Sequence, residues 1–324
     1  MKIFITGGAG YVGTVLTEKL LSIGHEITVL DLFMYGDHLK NHKNLIKIKA
    51  DIRNLVEYKS YLQGVDVVIH LACISNDPSF ELNPKLGKSI NFDCFEPLVE
   101  EASKTKIKKF IYASSSSVYG LKKEKNVIES MSLDPLTEYS FYKAECEKIL
   151  NNYSSNDFCT VTIRPATVCG YSPRQRLDLV VNILTNYAYN KNIIKIMGGD
   201  QLRPNINIKD MVNSYITLIE ADSNIINSEV YNVGFENHSV KELANQIKLL
   251  VKDNVELIYE KTDDNRSYHI SSDKIKDKLN FEYQFTINDA IQDLINAFET
   301  KKLTNTFNNS NFFNIKKMQE INLV

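Results

Sequence analysis

The chain lacks a strong charge of either sign. It has 38 Lys and Arg against 40 Asp and Glu, a net charge of −2. That removes the bulk electrostatic case for a nucleic-acid or membrane-surface partner. It also lacks any apolar run near the roughly 20 residues that a membrane helix needs. Cysteines are few and scattered: Cys73, Cys94, Cys146, Cys159 and Cys169 show none of the paired spacings of a metal centre, so no metal is expected. Their odd number, and a start that enters a strand-like run after a single lysine, predict reduced thiols in a cytoplasmic protein. Each then serves as a small core hydrophobe. Internal repeats are absent. What is present is a chain of 324 residues, 43% hydrophobic and 24% charged, long enough for one large core or two lobes of a soluble protein.

The most informative stretch is the first 31 residues. Lys2-Ile3-Phe4-Ile5-Thr6 is a short β-branched apolar run that flows into Gly7-Gly8-Ala9-Gly10-Tyr11-Val12-Gly13. A helical pattern follows, then Glu26-Ile27-Thr28-Val29-Leu30, which stops at Asp31. Strand, glycine turn, helix, strand and acid stand in the order of a dinucleotide-binding βαβ unit. One glycine permits the tight turn, a second lets backbone approach a pyrophosphate, and Gly13 lets helix pack on strand. Gly7, Gly10, Tyr11 and Val12 then lie where helix N–H groups face phosphates. Asp31 can accept hydrogen bonds from both adenosine ribose hydroxyls, and its charge would repel a 2′-phosphate. The expected cofactor is NAD rather than NADP.

Strands and helices alternate through the first half. Strand-like runs fall at 45–49, 66–71, 110–114 and 160–164, with helices at 89–104 and 138–153. The pattern predicts an α/β fold: a Rossmann-type doubly wound parallel sheet, with ligands at the carboxyl ends of its strands. Residues 1–165 are assigned to this NAD-binding unit, with later elements returning to its sheet. Residues 166–300 are assigned to a smaller C-terminal substrate-binding lobe. Residues 301–324 form an extension in which 305–311 reads as a flexible linker. Phe312, Phe313, Ile315, Met318 and Ile321 read as a short docking helix.

The strand ending at Ala113 runs into Ser114-Ser115-Ser116-Ser117-Val118-Tyr119-Gly120, and Tyr139-Ser140-Phe141-Tyr142-Lys143 lies downstream. Tyr139 and Lys143, four apart, share one helix face. An ammonium near the phenol is expected to lower its pKa from about 10 toward neutrality. Such a tyrosine can take a proton from an alcohol while hydride leaves the same carbon. Ser115 would hydrogen-bond the reacting oxygen.

The three-and-three glycine spacing, SSSSVYG and the YxxxK tyrosine together resemble the extended short-chain dehydrogenase/reductase family, in its NDP-sugar epimerase/dehydratase branch, the UDP-galactose 4-epimerase-like enzymes. The resemblance spans residues 1 to about 298. It implies catalytic roles for Ser115, Tyr139 and Lys143. It implies cofactor contacts for Asp51 and Ile52 at the adenine, Leu71 and Ala72 along the pyrophosphate, and Asn91, Arg164 and Pro165, with Tyr139 and Lys143 also at the cofactor. Arg203 and Arg266 match the arginines that clamp a nucleotide diphosphate, whose planar donor forks suit phosphate oxygens. Arg174 and Asn182, with Arg176, are placed at the sugar pocket by position. Asn207 stands where the family has histidine. The family also implies a homodimer through a four-helix bundle of the helices at 89–104 and 138–153, with Phe92, Phe95 and Phe141 facing outward.

The shared first step in this branch is oxidation of a sugar hydroxyl, usually at C4. Dehydratase relatives place Asp-Glu after the catalytic serine or threonine, and decarboxylase relatives place Glu at the second of those positions. Here they are Ser116 and Ser117, whose hydroxyls are no acid/base pair at neutral pH. The expectation is therefore an NAD-dependent nucleotide-sugar epimerase working through a 4-keto intermediate. An NDP-sugar C4 dehydrogenase and a 4,6-dehydratase remain as alternatives, and a non-catalytic NAD-binding regulatory protein is the alternative of another class.

Overall fold

The protein is described by a computed structural model that covers residues 1–124, 126–252, 254–262 and 269–323. Twelve strands are present among them: β1 Lys2–Thr6, β2 Glu26–Asp31, β3 Leu45–Lys49, β4 Val67–His70, β5 Lys109–Ala113, β6 Cys159–Pro165, β7 Thr167–Cys169, β8 Ile193–Met197, β9 Leu202–Asn207, β10 Glu229–Val233, β11 Glu236–Ser239 and β12 Glu256–Glu260. Seven make one parallel sheet in the order β10-β6-β5-β4-β1-β2-β3. The order reverses between β1 and β4, so the crevice at their carboxyl ends is where a dinucleotide belongs.

Alternation along each strand explains why helices cover both faces. Ile3, Ile5, Val67, Ile69 and Ile111 point into one buried cluster, whereas Phe4, Val68, Phe110 and Tyr112 point into another. The first is closed by α1 (Tyr11–Ser22), through Leu16 and Leu20. The second is closed by α2 (Phe95–Lys104) and α3 (Glu138–Asn152), through Leu98, Val99, Cys146 and Leu150. A strand buried on both sides needs apolar residues at every position, as the sequence supplies. Thr137 starts α3 with a capping box, its hydroxyl accepting from Ser140 N at 3.2 Å. That cap fixes the helix phase on which Tyr139 and Lys143 sit.

The second half builds two small sheets, β11-β9-β7 and β12-β8. Around them lie α4 (Val180–Lys191), α5 (Ile208–Glu220), α6 (Val240–Val251) and α7 (Ile287–Glu299). α5 packs on the main sheet beside α1, and β10 returns to the sheet edge. The extension is not the loose linker expected at 305–311. Asn308 and Asn309 N–H groups both donate to the Asn305 carbonyl, and Thr306 and Phe312 are buried. Leu177 N–H donates to the Phe312 carbonyl at 2.9 Å, and α8 (Asn314–Ile321) follows.

Three expectations are corrected by side-chain direction. Arg164 was assigned to the cofactor, but it points to the α3 side of the sheet. It binds both carboxylate oxygens of Glu147 (2.6–3.2 Å) and the Tyr119 hydroxyl at 2.8 Å. Its neighbour Ile163 fills the opposite face, so β-alternation sends the guanidinium away from the crevice. Asn182, assigned to the sugar, is fully buried and spends its amide on Gly170 N, Tyr11 Oη and the Arg176 carbonyl. Phe95, expected on an outward face, is wholly buried against the sheet, and Phe92 is partly buried on the Tyr142 ring at 5.0 Å. Phe141 alone of the three is exposed, at 46%.

The Arg164–Glu147 pair makes a test of this core. Removing one member strands a buried charge, so Glu147→Gln should lower unfolding free energy by about 3–5 kcal/mol in urea titration. Glu147→Leu with Arg164→Met should recover most of that loss.

Candidate active site

The crevice at the carboxyl ends of β1, β2, β4, β5 and β6 is a cavity of about 380 Å³. Its floor is the glycine turn. Gly7 holds φ +73°, and a Cβ there would stand 2.6 Å from Ala72 N. A Cβ on Gly13 would stand 2.3 Å from the Gly7 carbonyl oxygen. Side chains are thus excluded from both positions, and α1 starts directly over the cavity. Tyr11 lines it, and its buried hydroxyl donates to the Gly170 carbonyl at 2.8 Å. Gly10, Val12, Leu71, Ala72 and Pro165 also line it.

One end carries Asp31, Asp51 and Ile52. Asp31 accepts from Ala9 N at 3.0 Å and Phe33 N at 2.8 Å, which aims the carboxylate across the turn. Burial raises its pKa, and those two bonds and Arg174 oppose the rise. Asp51 is held by Arg53, whose guanidinium lowers its pKa. Arg174 belongs to this end, not to the far pocket where position alone had put it. Its guanidinium carbon lies 3.6 Å from the Tyr35 ring centroid, and Asp31 is among the charges that act on it. Burial pulls its pKa down to about 10.

The other end carries Ser115, Ser117, Tyr139 and Lys143, brought together from β5 and α3. Ser115 Oγ lies 2.8 Å from Ser117 Oγ and accepts from Ser117 N at 3.1 Å. Ser116 is buried. Lys143 Nζ donates to the Ala113 carbonyl at 2.7 Å and sits 5.0 Å from the Tyr112 ring and 5.9 Å from the Tyr139 ring. The expected lowering of the Tyr139 pKa is not what this geometry gives. Burial raises it, with Cys73 and Asp77 adding to the rise, and Arg176 opposes them. Desolvation of the phenolate outweighs the Asn76 backbone N–H and the Arg176 charge. His70, beneath the site, is held near 3 by burial and by Lys143, so it is neutral, and its Nδ1 lies 2.9 Å from Thr6 Oγ1.

Asn91 does not line the cavity. Its amide takes Ile74 N at 2.8 Å and gives to the Ile74 carbonyl at 2.9 Å, so it pins the loop that follows β4. Arg203 lies on β9, outside the cavity lining, with Nη1 donating to the Leu202 carbonyl at 3.1 Å. Asn207 caps α5, accepting from Lys209 N at 2.9 Å. Arg266 lies outside the described residues.

Sequence reasoning missed Asp77, which lines the cavity near Tyr139 and accepts from Thr137 Oγ1 at 2.5 Å. The Asn76-Asp77-Pro78 helix start was a signal for that turn, not for its position. Arg176 also lines the cavity, bonded to Asp178 at 2.8 Å and to Ser75 Oγ at 3.1 Å. Arg174 Nε and Arg176 Nη2 are buried with no hydrogen-bond partner. Each such donor costs about 1–3 kcal/mol unless an acceptor meets it. Two unmatched guanidinium donors, a side-chain-free cradle and an acid at the end of β2 fit a dinucleotide.

Comparison with known proteins agrees. The NAD dependent epimerase/dehydratase family profile matches residues 3–234. The chain is 34% identical over 263 residues to an uncharacterized UDP-glucose epimerase of Bacillus subtilis, covering 76% of this chain and 81% of that one. It is 28% identical to UDP-glucuronic acid decarboxylase 1 of Xenopus tropicalis, over 95% of this chain and 74% of the other. Among solved structures, UDP-glucuronic acid 4-epimerase from Bacillus cereus, in complex with UDP-glucuronic acid and NAD, superposes with a TM-score of 0.83 at 26% identity, covering 93% and 100%. The chain is an enzyme of the NAD-dependent epimerase/dehydratase family, in its extended short-chain dehydrogenase/reductase branch.

Proposed function

We propose that the protein epimerises a nucleotide-diphosphate hexose at C4. The observation that carries this reading is that Ser115, Ser117 and Tyr139 line one cavity, with serines at both positions after Ser115. NAD, when bound, would supply a reversible hydride acceptor for the sugar carbon. The chain's residues do the rest. Tyr139 takes the proton of the C4 hydroxyl and gives it back after the keto sugar has turned over. Ser115 donates to the oxygen in its keto state, and accepts from it in its hydroxyl state. Lys143 places its Nζ 5.9 Å from the Tyr139 ring, and a cation at that position favours the phenolate.

The residues that would hold the cofactor are Gly7, Gly10, Tyr11 and Val12 at the phosphates, Asp31 at the ribose, and Asp51 and Ile52 at the adenine. Leu71, Ala72 and Pro165 flank it. Arg203 and Arg266 remain the proposed diphosphate clamp. Exposed Phe141 and Leu136, at the start of α3, support a homodimer through that helix.

Asp77 is a carboxylate near Tyr139 that could serve a dehydratase. Incubation with a panel of UDP- and dTDP-hexoses, followed by product NMR and absorbance at 340 nm, tests the reading. Interconversion of C4 epimers without net NADH supports it, while a 4-keto-6-deoxy product or accumulating NADH overturns it. Tyr139→Phe should cut turnover by about 10²–10⁴-fold while NAD still binds. The base must be deprotonated, so activity should rise with pH. Asp77→Asn removes a charge that raises the phenol pKa, so the acidic limb of kcat/KM should move to lower pH while turnover persists. Loss of turnover in Asp77→Asn would assign that carboxylate a chemical step.

A further inference from the structure

The extension after α7 closes onto the cavity. Asn314, the first residue of α8, is buried and lines the cavity, as does Leu323 beyond the helix. Asn314 makes three bonds to two different loops. Its backbone N–H donates to Asp178 Oδ2 at 3.0 Å, and its side-chain Nδ2 donates to Ser75 Oγ at 3.0 Å. Its Oδ1 accepts from Arg174 Nη2 at 2.7 Å. Ser75 belongs to the loop after β4, and Arg174 and Asp178 to the loop after β7. One asparagine therefore ties together the two loops that flank the crevice.

The bond to Arg174 fixes which way that guanidinium turns. Nη2 is taken by Asn314, and Nη1 reaches the Gln175 carbonyl at 3.4 Å. Nε is left buried and unmatched beside Asp31 and Tyr35. Leu323 packs among the residues of the adenine end, with Met34, Leu30 and Ile52 in the same cluster. Met318 anchors the helix there, 4% exposed. Two faces of the extension thus meet the dinucleotide end: a polar one at Asn314 and an apolar one at Leu323.

We propose that residues 310–323 are a wall of the dinucleotide site, with Asn314 as the positioning residue that holds Arg174 to the cofactor and slows cofactor release. An anionic oxygen of the dinucleotide takes the free Arg174 donor, and Leu323 covers the adenine end. Cofactor must pass this wall to leave.

The test loads the full-length protein with NADH and mixes it with excess NAD⁺, following loss of bound-NADH fluorescence. No sugar is present, so the outcome is independent of which reaction the enzyme runs. Asn314→Leu, which removes two side-chain hydrogen bonds, should speed release about tenfold. Leu323→Ser should speed it severalfold, and this residue is partly exposed, so its loss leaves the fold intact. Far-UV circular dichroism of both variants should match the parent. Release at the parental rate from folded Leu323→Ser and Asn314→Leu overturns the proposal. So does a change confined to the KM for sugar nucleotide, which would give the wall to the other ligand. If Asn314→Leu does not fold, the rate for Leu323→Ser decides.

Discussion

The site depends on how closely β1 can approach the loop after β4. Thr6 knits the two strand ends together. Its carbonyl accepts from Leu71 N at 3.0 Å, and its hydroxyl meets His70 Nδ1 at 2.9 Å and Ala72 N at 3.3 Å. Gly7 then passes Ala72 at a distance that no side chain could occupy. Everything in the crevice takes its position from that closure: the start of α1, the reach of Asp31 across the turn to Ala9, and the loop that Asn91 pins at Ile74. The buried His70 is held neutral, so the junction adds no second charge beneath Lys143.

Charge in the crevice is arranged by end. Asp31 acts on Arg174 at the end that also carries Asp51, and Asp77 and Arg176 act on Tyr139 at the end that carries Lys143. Desolvation works against the charged forms of three groups here. It raises Asp31 and Tyr139 and lowers Arg174. Phosphate oxygens of a bound dinucleotide would be acceptors for the unmatched donors of Arg174 and Arg176.

Most of the scaffold was legible in the sequence because its signals are local. β3 falls at the expected residues, and α3 ends one residue early. The Tyr139–Lys143 spacing survives because the capped α3 carries both. What failed was direction and competition. Arg164 sits in a strand one residue from the cavity-lining Pro165, and a one-residue step reverses the face. Asn182 looked available because its partners, Gly170, Tyr11 and the Arg176 carbonyl, lie up to 171 residues away. The Tyr139 pKa was read from one cation, whereas burial, invisible in sequence, is the larger effect. The Asn-rich stretch at 305–311 looked solvated by composition, but one carbonyl, Asn305, and the buried Phe312 order it.

The wall and the chemistry bear on each other. An epimerase ends each turnover with its dinucleotide in the redox state in which it began, so cofactor exchange is never on the catalytic path. A dehydrogenase must exchange it every cycle, and a wall held by Asn314, Asp178 and Ser75 would set its rate. Ordering an extension over the adenosine end costs conformational entropy at every residue fixed. That cost is tolerable where the cofactor stays and counterproductive where it must leave. Slow release, if the extension provides it, therefore argues for a closed redox cycle on the sugar, independently of the serines at 116 and 117.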